Sequence, residues 1–161
     1  MAERPAINAS PLIFLARAGL LDLLRLVADE VVVPEAVAAE ILQKGPDDVT
    51  AQAIRQTAWL VIVTPPPVPA IIQSWGLGDG ESSVLAWAYQ YPGTEVIVDD
   101  LAARRCAAAL GLPVRGTLGL VLIAKQRGAI TAARPVLERL RQSGMYLSDS
   151  VLNQALALVG E

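Results

Sequence analysis

Histidine is absent from this 161-residue sequence, and its absence removes the commonest general base of enzymes. Catalytic arrangements that pair serine with histidine are excluded, so Ser10, Ser82 and Ser83 lack the partner that would activate a nucleophilic hydroxyl. Hydrolysis by this chain would have to use water activated by a metal ion. Oxygen-only ligands favour magnesium or manganese over zinc or copper.

Cysteine is scarce too, because Cys106 is the only one and permits neither a disulfide framework nor a thiolate zinc site. Long apolar runs are also missing, although 53% of the residues are hydrophobic. Charges interrupt the stretch 11–26 and four prolines lie within 56–78, so neither stretch predicts a membrane span. Met1–Arg4 lacks the pattern of a signal peptide. We therefore expect a cytoplasmic protein without a membrane partner.

Short β-branched segments alternate with helical patterns along the chain. Strands are predicted at 6–7, 31–33, 60–63, 95–98 and 113–115, and a helical pattern follows each of them. Parallel strands need crossover connections of this kind, and helical crossovers cover both faces of a sheet. The pattern predicts an α/β fold, and the length suits a single domain over residues 1–161.

Polar groups follow two of the predicted strands directly. Asn8 comes after the strand at 6–7, and the pair Asp99–Asp100 comes after the strand at 95–98. In open α/β sheets, ligands bind at the carboxyl ends of the strands. An aspartate there can also be the N-cap of the next helix, but one would suffice and two adjacent carboxylates repel each other. We therefore interpret the pair as part of a cation site.

Glu81 begins an apolar helical stripe. The helical period places it on the face of Val84, Leu85 and Ala88, so its carboxylate is predicted to point inward. A carboxylate within an apolar stripe is costly to bury unless its charge is compensated. The alternative, a first-turn glutamate that the helix dipole favours, stays open.

Charge is unevenly distributed in this chain, whose net charge is −3. Between Arg104 and Arg141, eight basic residues accompany a single acidic residue, Glu138. This basic segment beside an acidic cluster suits an enzyme that holds phosphates next to a cation. The alternative is that these residues form ordinary solvated helix faces.

Five motifs taken together resemble the PIN-domain family, and the resemblance covers nearly the whole chain. Each motif is weak alone, but their order and spacing are specific. The chain is most similar to an uncharacterised prokaryotic subgroup related to VapC-type toxins. The motifs are Ile7-Asn8-Ala9-Ser10-Pro11-Leu12-Ile13, Val33-Pro34-Glu35-Ala36-Val37 with Glu40, Leu77-Gly78-Asp79-Gly80-Glu81, Val98-Asp99-Asp100-Leu101-Ala102-Ala103-Arg104 and Gly116-Thr117-Leu118-Gly119.

The resemblance implies a three-layer α/β/α fold with a parallel sheet of about five strands. It also implies a ribonuclease in which a cluster of acids holds magnesium or manganese. By position, the matching catalytic residues are Asn8, Glu40, Glu81, Asp99 and Asp100. All but Glu40 are expected metal ligands, and strand-end geometry slightly favours Asp100 over Asp99. Glu40 by itself is an ordinary surface glutamate and enters only through this match.

The resemblance also bears on partners. Arg104 matches the arginine of the family's Asp-Asp-x-x-Ala-Arg pattern, and we expect it to contact RNA together with Arg105 and Arg115. Single-stranded RNA is the implied substrate, and a toxin of this kind has an antitoxin protein as its partner. A homodimer is one compatible assembly, although the residues themselves do not specify it.

Asn8 departs from the family pattern, because many PIN domains carry aspartate at this place. An asparagine still offers a carbonyl oxygen but removes one negative charge, so metal affinity should fall. The alternative function, from a different class, is a catalytically silent PIN fold that binds RNA or a protein. Dependence of cleavage on magnesium or manganese separates the two.

Overall fold

The computed structural model describes residues 4–161, so most of the segment Met1–Arg4 considered for a signal peptide lies outside the described residues. Five short strands form one sheet, and each predicted strand is present. Their bounds are β1 Ala6–Ile7, β2 Val31–Pro34, β3 Leu60–Val63, β4 Val96–Ile97 and β5 Val114–Arg115.

Nine α-helices accompany these strands within residues 4–161. They are α1 Ala9–Arg17, α2 Glu35–Leu42, α3 Val49–Gln56, α4 Ala70–Gln73, α5 Asp79–Gln90, α6 Leu101–Ala109, α7 Thr117–Gln126, α8 Ala133–Gln142 and α9 Asp149–Leu158. The longest of them, α5, has 12 residues. No helix in this part of the chain has the length and apolar character needed to cross a membrane.

The sheet is entirely parallel, with the strand order β3-β2-β1-β4-β5. Helices flank it in a three-layer α/β/α arrangement, which confirms the predicted fold class. The chain builds outward from β1 in one direction through β2 and β3, and in the other through β4 and β5. The order therefore reverses between β1 and β4, and this is the point where open α/β sheets bind their ligands.

The strands lie at the centre of the hydrophobic core. Val31–Val33 and Val96–Val98 have no solvent exposure, as expected for strands covered on both faces. Against them pack the apolar residues of α5, and Val84, Leu85 and Ala88 are fully buried as their helical spacing predicts. This packing fixes the first turn of α5, and with it Glu81, beside the ends of β1 and β4.

The spacing of leucines over residues 20–28 predicts an amphipathic α-helix, but the structure forms a 3-10 helix there, Leu21–Leu26. Gly19 ends α1 with a φ of 70°, and the eleven residues 20–30 then lead to β2. In a 3-10 helix, residues three apart share one edge, so Leu21 and Leu24 both turn towards the core. The 3-10 helix suits this connection because it buries leucines at a spacing of three.

Local sequence predicts Ser10 as the N-cap of the first helix and Asp47 as the N-cap of the helix before β3, and both helices start one or two residues away from those positions. Asn8, not Ser10, is the N-cap residue of α1, although its side chain makes no capping hydrogen bond. Asp48, not Asp47, caps α3 by accepting a hydrogen bond of 3.0 Å from the backbone N–H of Ala51. In both cases the neighbouring polar residue offers the same local signal, and tertiary packing selects between them.

Glu161 joins the end of the chain to α8. Its carboxylate accepts hydrogen bonds from the backbone N–H groups of Ala133 (2.6 Å) and Arg134 (3.2 Å), and Lys125 lies 3.4 Å away. The N-cap position of α8 is Ala132, which has no side-chain acceptor, so Glu161 replaces a local cap. These donors, with Ala133 first, lower the pKa of Glu161 below its ordinary value.

Replacing Glu161 with glutamine is therefore expected to lower the melting temperature in a pH-dependent way. Because the pKa is lowered in the folded protein, the carboxylate stabilises the fold above its unfolded pKa, and this contribution disappears as the pH falls through the folded pKa. Thermal denaturation should separate Glu161→Gln from wild type at about pH 7, and the gap should be smaller at about pH 3. Glu138→Gln, on the helix α8 that Glu161 caps, is the control, and an equal gap at both pH values would contradict this role of Glu161.

Candidate active site

Two adjoining clefts open at the carboxyl ends of β1 and β4. The smaller, of about 440 Å³, is lined by Asn8, Glu40 and the start of α5. The larger, of about 750 Å³, is lined by Asp99, Asp100 and residues of β5, α7 and the chain between α8 and α9. Glu81 and Ser10 line both clefts and so form the wall between them. All the predicted catalytic residues thus lie around one pair of connected clefts.

Asn8 and Glu40 approach each other above Gly80. A Cβ atom placed on Gly80 would lie 3.1 Å from Asn8 Oδ1 and 3.4 Å from Glu40 Oε2. The backbone N–H of Asn8 donates to the carbonyl of Ile97 (3.0 Å), which fixes Asn8 against β4, and only 5% of Asn8 is exposed. Helix α2 supplies Glu40 from the other side. Gly80 is buried, and its missing side chain keeps open the space that these two oxygens face.

Glu81 is half-buried, with its carboxylate folded back over Gly78, the N-cap residue of α5. A Cβ atom on Gly78 would lie 2.7 Å from Glu81 Oε2, so a larger residue there would displace the carboxylate. A glutamate in the first turn also interacts favourably with the helix dipole. The position thus combines both sequence interpretations: Glu81 is a first-turn glutamate, and it borders the same clefts as the other acids.

Asp99 is held by Thr117, the first residue of α7. Its Oδ1 accepts the backbone N–H of Thr117 (2.8 Å), and its Oδ2 accepts the Thr117 hydroxyl (2.7 Å). The N-cap residue of α7 is Gly116, which has no side chain to satisfy these helix N–H groups, so Asp99 does so across the sheet. Each carboxylate oxygen keeps a second lone pair, and Asp99 lines the larger cleft.

Asp100 caps a different helix. Its Oδ2 accepts the backbone N–H of Ala103 at 3.0 Å, which makes Asp100 the N-cap of α6. The expectation that one aspartate would suffice as a cap therefore needs correction, because the two aspartates cap two separate helices. Asp100 is exposed and keeps Oδ1 free of this capping bond, whereas both oxygens of Asp99 accept hydrogen bonds.

Arg104 borders the larger cleft beside Gly116. Its Nη1 donates to the carbonyl of Val98 at 3.2 Å, which holds the guanidinium at the end of β4. A Cβ atom on Gly116 would lie 2.5 Å from Arg104 Nη1 and 3.1 Å from Asp99 Oδ1. A glycine is therefore needed at 116 for both charged groups to keep their places. This bond uses one of the five N–H donors of Arg104, and the side chain also lines the larger cleft.

The other two arginines expected to bind RNA differ in their surroundings. Arg105 is exposed on α6. Arg115 instead forms a bidentate pair with Glu95, at 2.8 Å and 3.0 Å, with about a quarter of each side chain exposed. This pair links the ends of β4 and β5, so Arg115 contributes to the sheet edge in addition to lining the cleft.

Much of the basic segment is engaged with the protein itself. Arg127 donates to the carbonyl of Leu26, and Arg139 donates to the carbonyl of Ala18. These bonds satisfy carbonyls at the ends of the 3-10 helix and of α1. Lys125 donates to Thr131 (2.9 Å), and Arg141 pairs with Asp149 (3.1 Å). The charge excess between Arg104 and Arg141 thus does not form one nucleic-acid surface.

Several residues that shape the site were not among those predicted from the sequence. Local sequence predicts Thr117 as a helix cap, whereas it donates two hydrogen bonds to Asp99, 18 residues earlier in the chain. Gly80 and Gly116 lie in the family motifs, but only the fold shows that side chains there would collide with the charged groups. Ser10 stands on the wall between the clefts. The available signal for these residues is their membership of the family motifs.

The donors around the clefts fit a hard divalent cation in their chemistry. Amide and carboxylate oxygens are the ligands that magnesium and manganese prefer. Asn8 Oδ1 and Glu40 Oε2 converge on the open position above Gly80, where a side chain would otherwise fill the space. Within residues 4–161, however, no three acidic or thiol side chains already stand together as a preformed metal site.

The parallel sheet, its switch point and the acids around it define a three-layer α/β/α protein with an acidic crevice. The chain belongs to the PIN-domain family: the family model DUF3368, described as a PIN domain, matches residues 5–161. No curated protein matches the chain significantly. The PIN fold is a nuclease-type fold, and its members typically use divalent metals. The family resemblance is confirmed, and the VapC-like subgroup stays a prediction.

Proposed function

We propose that this protein is an endoribonuclease that cleaves single-stranded RNA with magnesium or manganese, in the cytoplasm, as the toxin of a toxin–antitoxin pair. One observation carries the nuclease proposal: Asn8, Glu40, Glu81, Asp99 and Asp100 all border two connected clefts at the sheet's switch point. The antitoxin partner rests on the likeness to VapC-type toxins alone. The PIN family supports the nuclease class.

The ion would be held by oxygens of Asn8, Glu81, Asp99 and Asp100. When bound, a divalent cation supplies charge neutralisation for the phosphate and activates water for attack on the phosphodiester. Asp100 is the better candidate for a direct ligand, because its Oδ1 is free of the bond that caps α6. Thr117 orients the carboxylate of Asp99, and Gly80 leaves room for the ligands.

Glu40 and Arg104 carry the remaining roles. The carboxylate of Glu40 faces the open position above Gly80, where it can accept a proton from water as the water attacks. Arg104 stands at the far side, held by Val98, and its planar guanidinium can donate to a phosphate oxygen of the RNA. In this proposal, Glu40 is the proton acceptor in the smaller cleft and Arg104 the hydrogen-bond donor to phosphate in the larger one, with Ser10 and Glu81 between them.

The two cleft arginines are expected to respond differently to charge reversal. Arg104→Glu should weaken RNA binding and reduce the slope of log K against log salt by about 0.7 for each phosphate that the arginine neutralises in wild type. Arg115→Glu should chiefly destabilise the fold, by about 1–3 kcal/mol, because it breaks a bidentate pair with Glu95. Filter binding at several salt concentrations measures the effect on RNA affinity, and urea denaturation measures the effect on the free energy of unfolding.

The charge-swapped protein Arg115→Glu/Glu95→Arg is the control, and it should regain most of the stability of wild type. If Arg104→Glu leaves the salt slope unchanged, the RNA backbone lies elsewhere. If Arg115→Glu unfolds no more easily than wild type, the pair with Glu95 is not structural.

A catalytically silent PIN fold that binds RNA or protein is the second candidate. It is favoured by two observations: Asn8 stands where many relatives carry an acid, and both oxygens of Asp99 accept hydrogen bonds from Thr117. In that case the aspartates would serve only as helix caps. The fold would then be retained while the site had lost its cation.

Cleavage of a single-stranded RNA oligonucleotide during titration with manganese or magnesium tests the proposed function. The nuclease should be inactive in chelator and should be activated by cation at millimolar or lower concentration. Glu40→Gln should remove most of that activity. RNA binding that ignores the cation, with no cleavage at any cation concentration, would favour the silent fold.

A further inference from the structure

The larger cleft has a lining of two chemically different parts. Glu81, Asp99, Asp100 and Arg104 form the charged part at the ends of the strands. The other part is apolar and is contributed by α1, α7 and the chain around 145–151. Its members are Phe14, Leu118, Leu122, Met145, Tyr146, Leu147 and Val151. None of these apolar residues has a role in the acidic site described above.

Tyr146 is the most prominent of them, with 89% of its surface exposed. Its neighbours Met145 and Leu147 are both buried and anchor the chain on either side of it. The ion pair between Arg141 and Asp149 (3.1 Å) links the two ends of this short connection between α8 and α9. The tyrosine is therefore held out at the cleft by packed neighbours, and an aromatic ring placed this way is open to a ligand.

We propose that this apolar part, with Tyr146 at its centre, is a subsite for a nucleobase of the strand whose phosphate lies at Arg104. A nucleotide has the same division as the cleft, since it joins a planar aromatic base to an anionic phosphate. Proteins recognise single-stranded nucleic acids by stacking bases on aromatic side chains next to basic groups. This inference rests on the proposed function and assigns the base-binding part of its site.

The size and continuity of the cleft support a nucleotide as the occupant. Its volume of about 750 Å³ lies within the range of about 300–1,000 Å³ that is typical of small-ligand pockets. The apolar and charged residues line the same cleft, as a nucleotide with its base at Tyr146 and its phosphate at Arg104 requires. A peptide side chain could fill the apolar part, but it would not need an aromatic ring there.

Binding of a single-stranded RNA that carries the fluorescent base 2-aminopurine tests the proposal. The titration is made in chelator, where cleavage is off, with wild type, Tyr146→Phe, Tyr146→Leu and Tyr146→Ala. Base stacking quenches the probe, so wild type and Tyr146→Phe should quench it. Tyr146→Ala and Tyr146→Leu should bind about five- to 150-fold more weakly, the range for removing one stacked base. Tyr89→Ala, an exposed tyrosine on α5 outside both clefts, is the matched control.

Under cleavage conditions, Tyr146→Ala should lower kcat/KM by raising KM while kcat stays unchanged, because stacking stabilises the bound substrate and the transition state equally. Cleavage with an unchanged KM in Tyr146→Ala would overturn the base subsite while leaving the nuclease intact. Binding by Tyr146→Leu as tight as wild type would also overturn it, since an apolar cover would then suffice, as for a peptide. RNA binding that depends on the Tyr146 ring, without cleavage that depends on the cation, would support the base subsite and contradict the proposed nuclease function.

Discussion

Asn8→Asp is expected to bind manganese more tightly than wild type, by about 1–2 kcal/mol or about five- to thirtyfold, on the scale of one charge-assisted hydrogen bond. Asn8 Oδ1 faces the open position above Gly80 together with Glu40 Oε2, and Asn8 is 5% exposed. A carboxylate there adds a full negative charge where solvent screens it little. RNA cleavage should rise with the affinity.

The fold should tolerate this change. Asparagine and aspartate are nearly isosteric, both are favoured N-cap residues, and the bond from Asn8 to Ile97 uses the backbone N–H alone. Without a cation, the added charge repels Glu40, so Asn8→Asp should be slightly less stable than wild type in chelator. The repulsion disappears when manganese binds, and the cation-induced rise in melting temperature becomes larger.

Isothermal titration calorimetry with manganese measures this effect. Asn153→Asp is the matched control, because it adds the same charge on the exposed surface of α9. That variant should bind manganese as wild type does. Equal or weaker affinity in Asn8→Asp would mean that Asn8 does not contribute to a cation site.

Asp100→Asn is expected to have the largest effect on activity. Cation-dependent cleavage should fall about 100- to 1,000-fold, the range for removing one preorganised electrostatic interaction. The rise in melting temperature on adding manganese should disappear as well, because that rise requires binding to the native state. Stability in chelator should change by less than about 0.5 kcal/mol, since asparagine caps a helix as well as aspartate does.

The chain offers a close control for this prediction. Asp48 caps α3 with the same geometry, accepting from the N–H of Ala51 at 3.0 Å as Asp100 accepts from Ala103 at 3.0 Å. Asp48→Asn should therefore leave both cleavage and the response to manganese unchanged. If Asp100→Asn behaves like Asp48→Asn in every assay, Asp100 is only a helix cap and the cation lies elsewhere.

The fold could be predicted from the sequence because its signals are local. The run Leu60–Val63 matches β3 at both ends, and the strand carboxyl ends bring Asn8 and Asp99–Asp100 to one edge as the parallel arrangement requires. The period of α5 likewise places Val84, Leu85 and Ala88 in the core. These features depend on residues within one element and on the rule for parallel sheets.

The partners of the charged residues could not be predicted, because they come from distant parts of the chain. Thr117 binds Asp99 across 18 residues, and Glu95 binds Arg115 across 20. The adjacency of two aspartates suggests a shared cation, whereas each carboxylate also has a helix N-terminus to cap. Local sequence shows which residue type stands at such a position, but it does not show which hydrogen-bond donor from a distant segment will contact it.

The same limit applies to the basic segment. Eight basic residues between Arg104 and Arg141 suggest a surface for phosphates. Apart from Arg104 and Arg115, which line the larger cleft, four of them bind backbone carbonyls or acids in other parts of the chain, as Arg139 does at the end of α1. A count of charges along the sequence cannot distinguish a side chain that faces a ligand from one that ends a helix.

The position of manganese in crystals grown with the ion tests the cation site most directly, since anomalous scattering locates it without assumptions about activity. The proposed site predicts a single strong peak in these clefts, bound by oxygens from the set Asn8, Glu81, Asp99 and Asp100. Asp100→Asn crystals grown in the same way should lack it. Two results would contradict the proposed cation site in wild-type protein that cleaves RNA with manganese. The crystals could show no manganese in the clefts, or the peak could lie elsewhere.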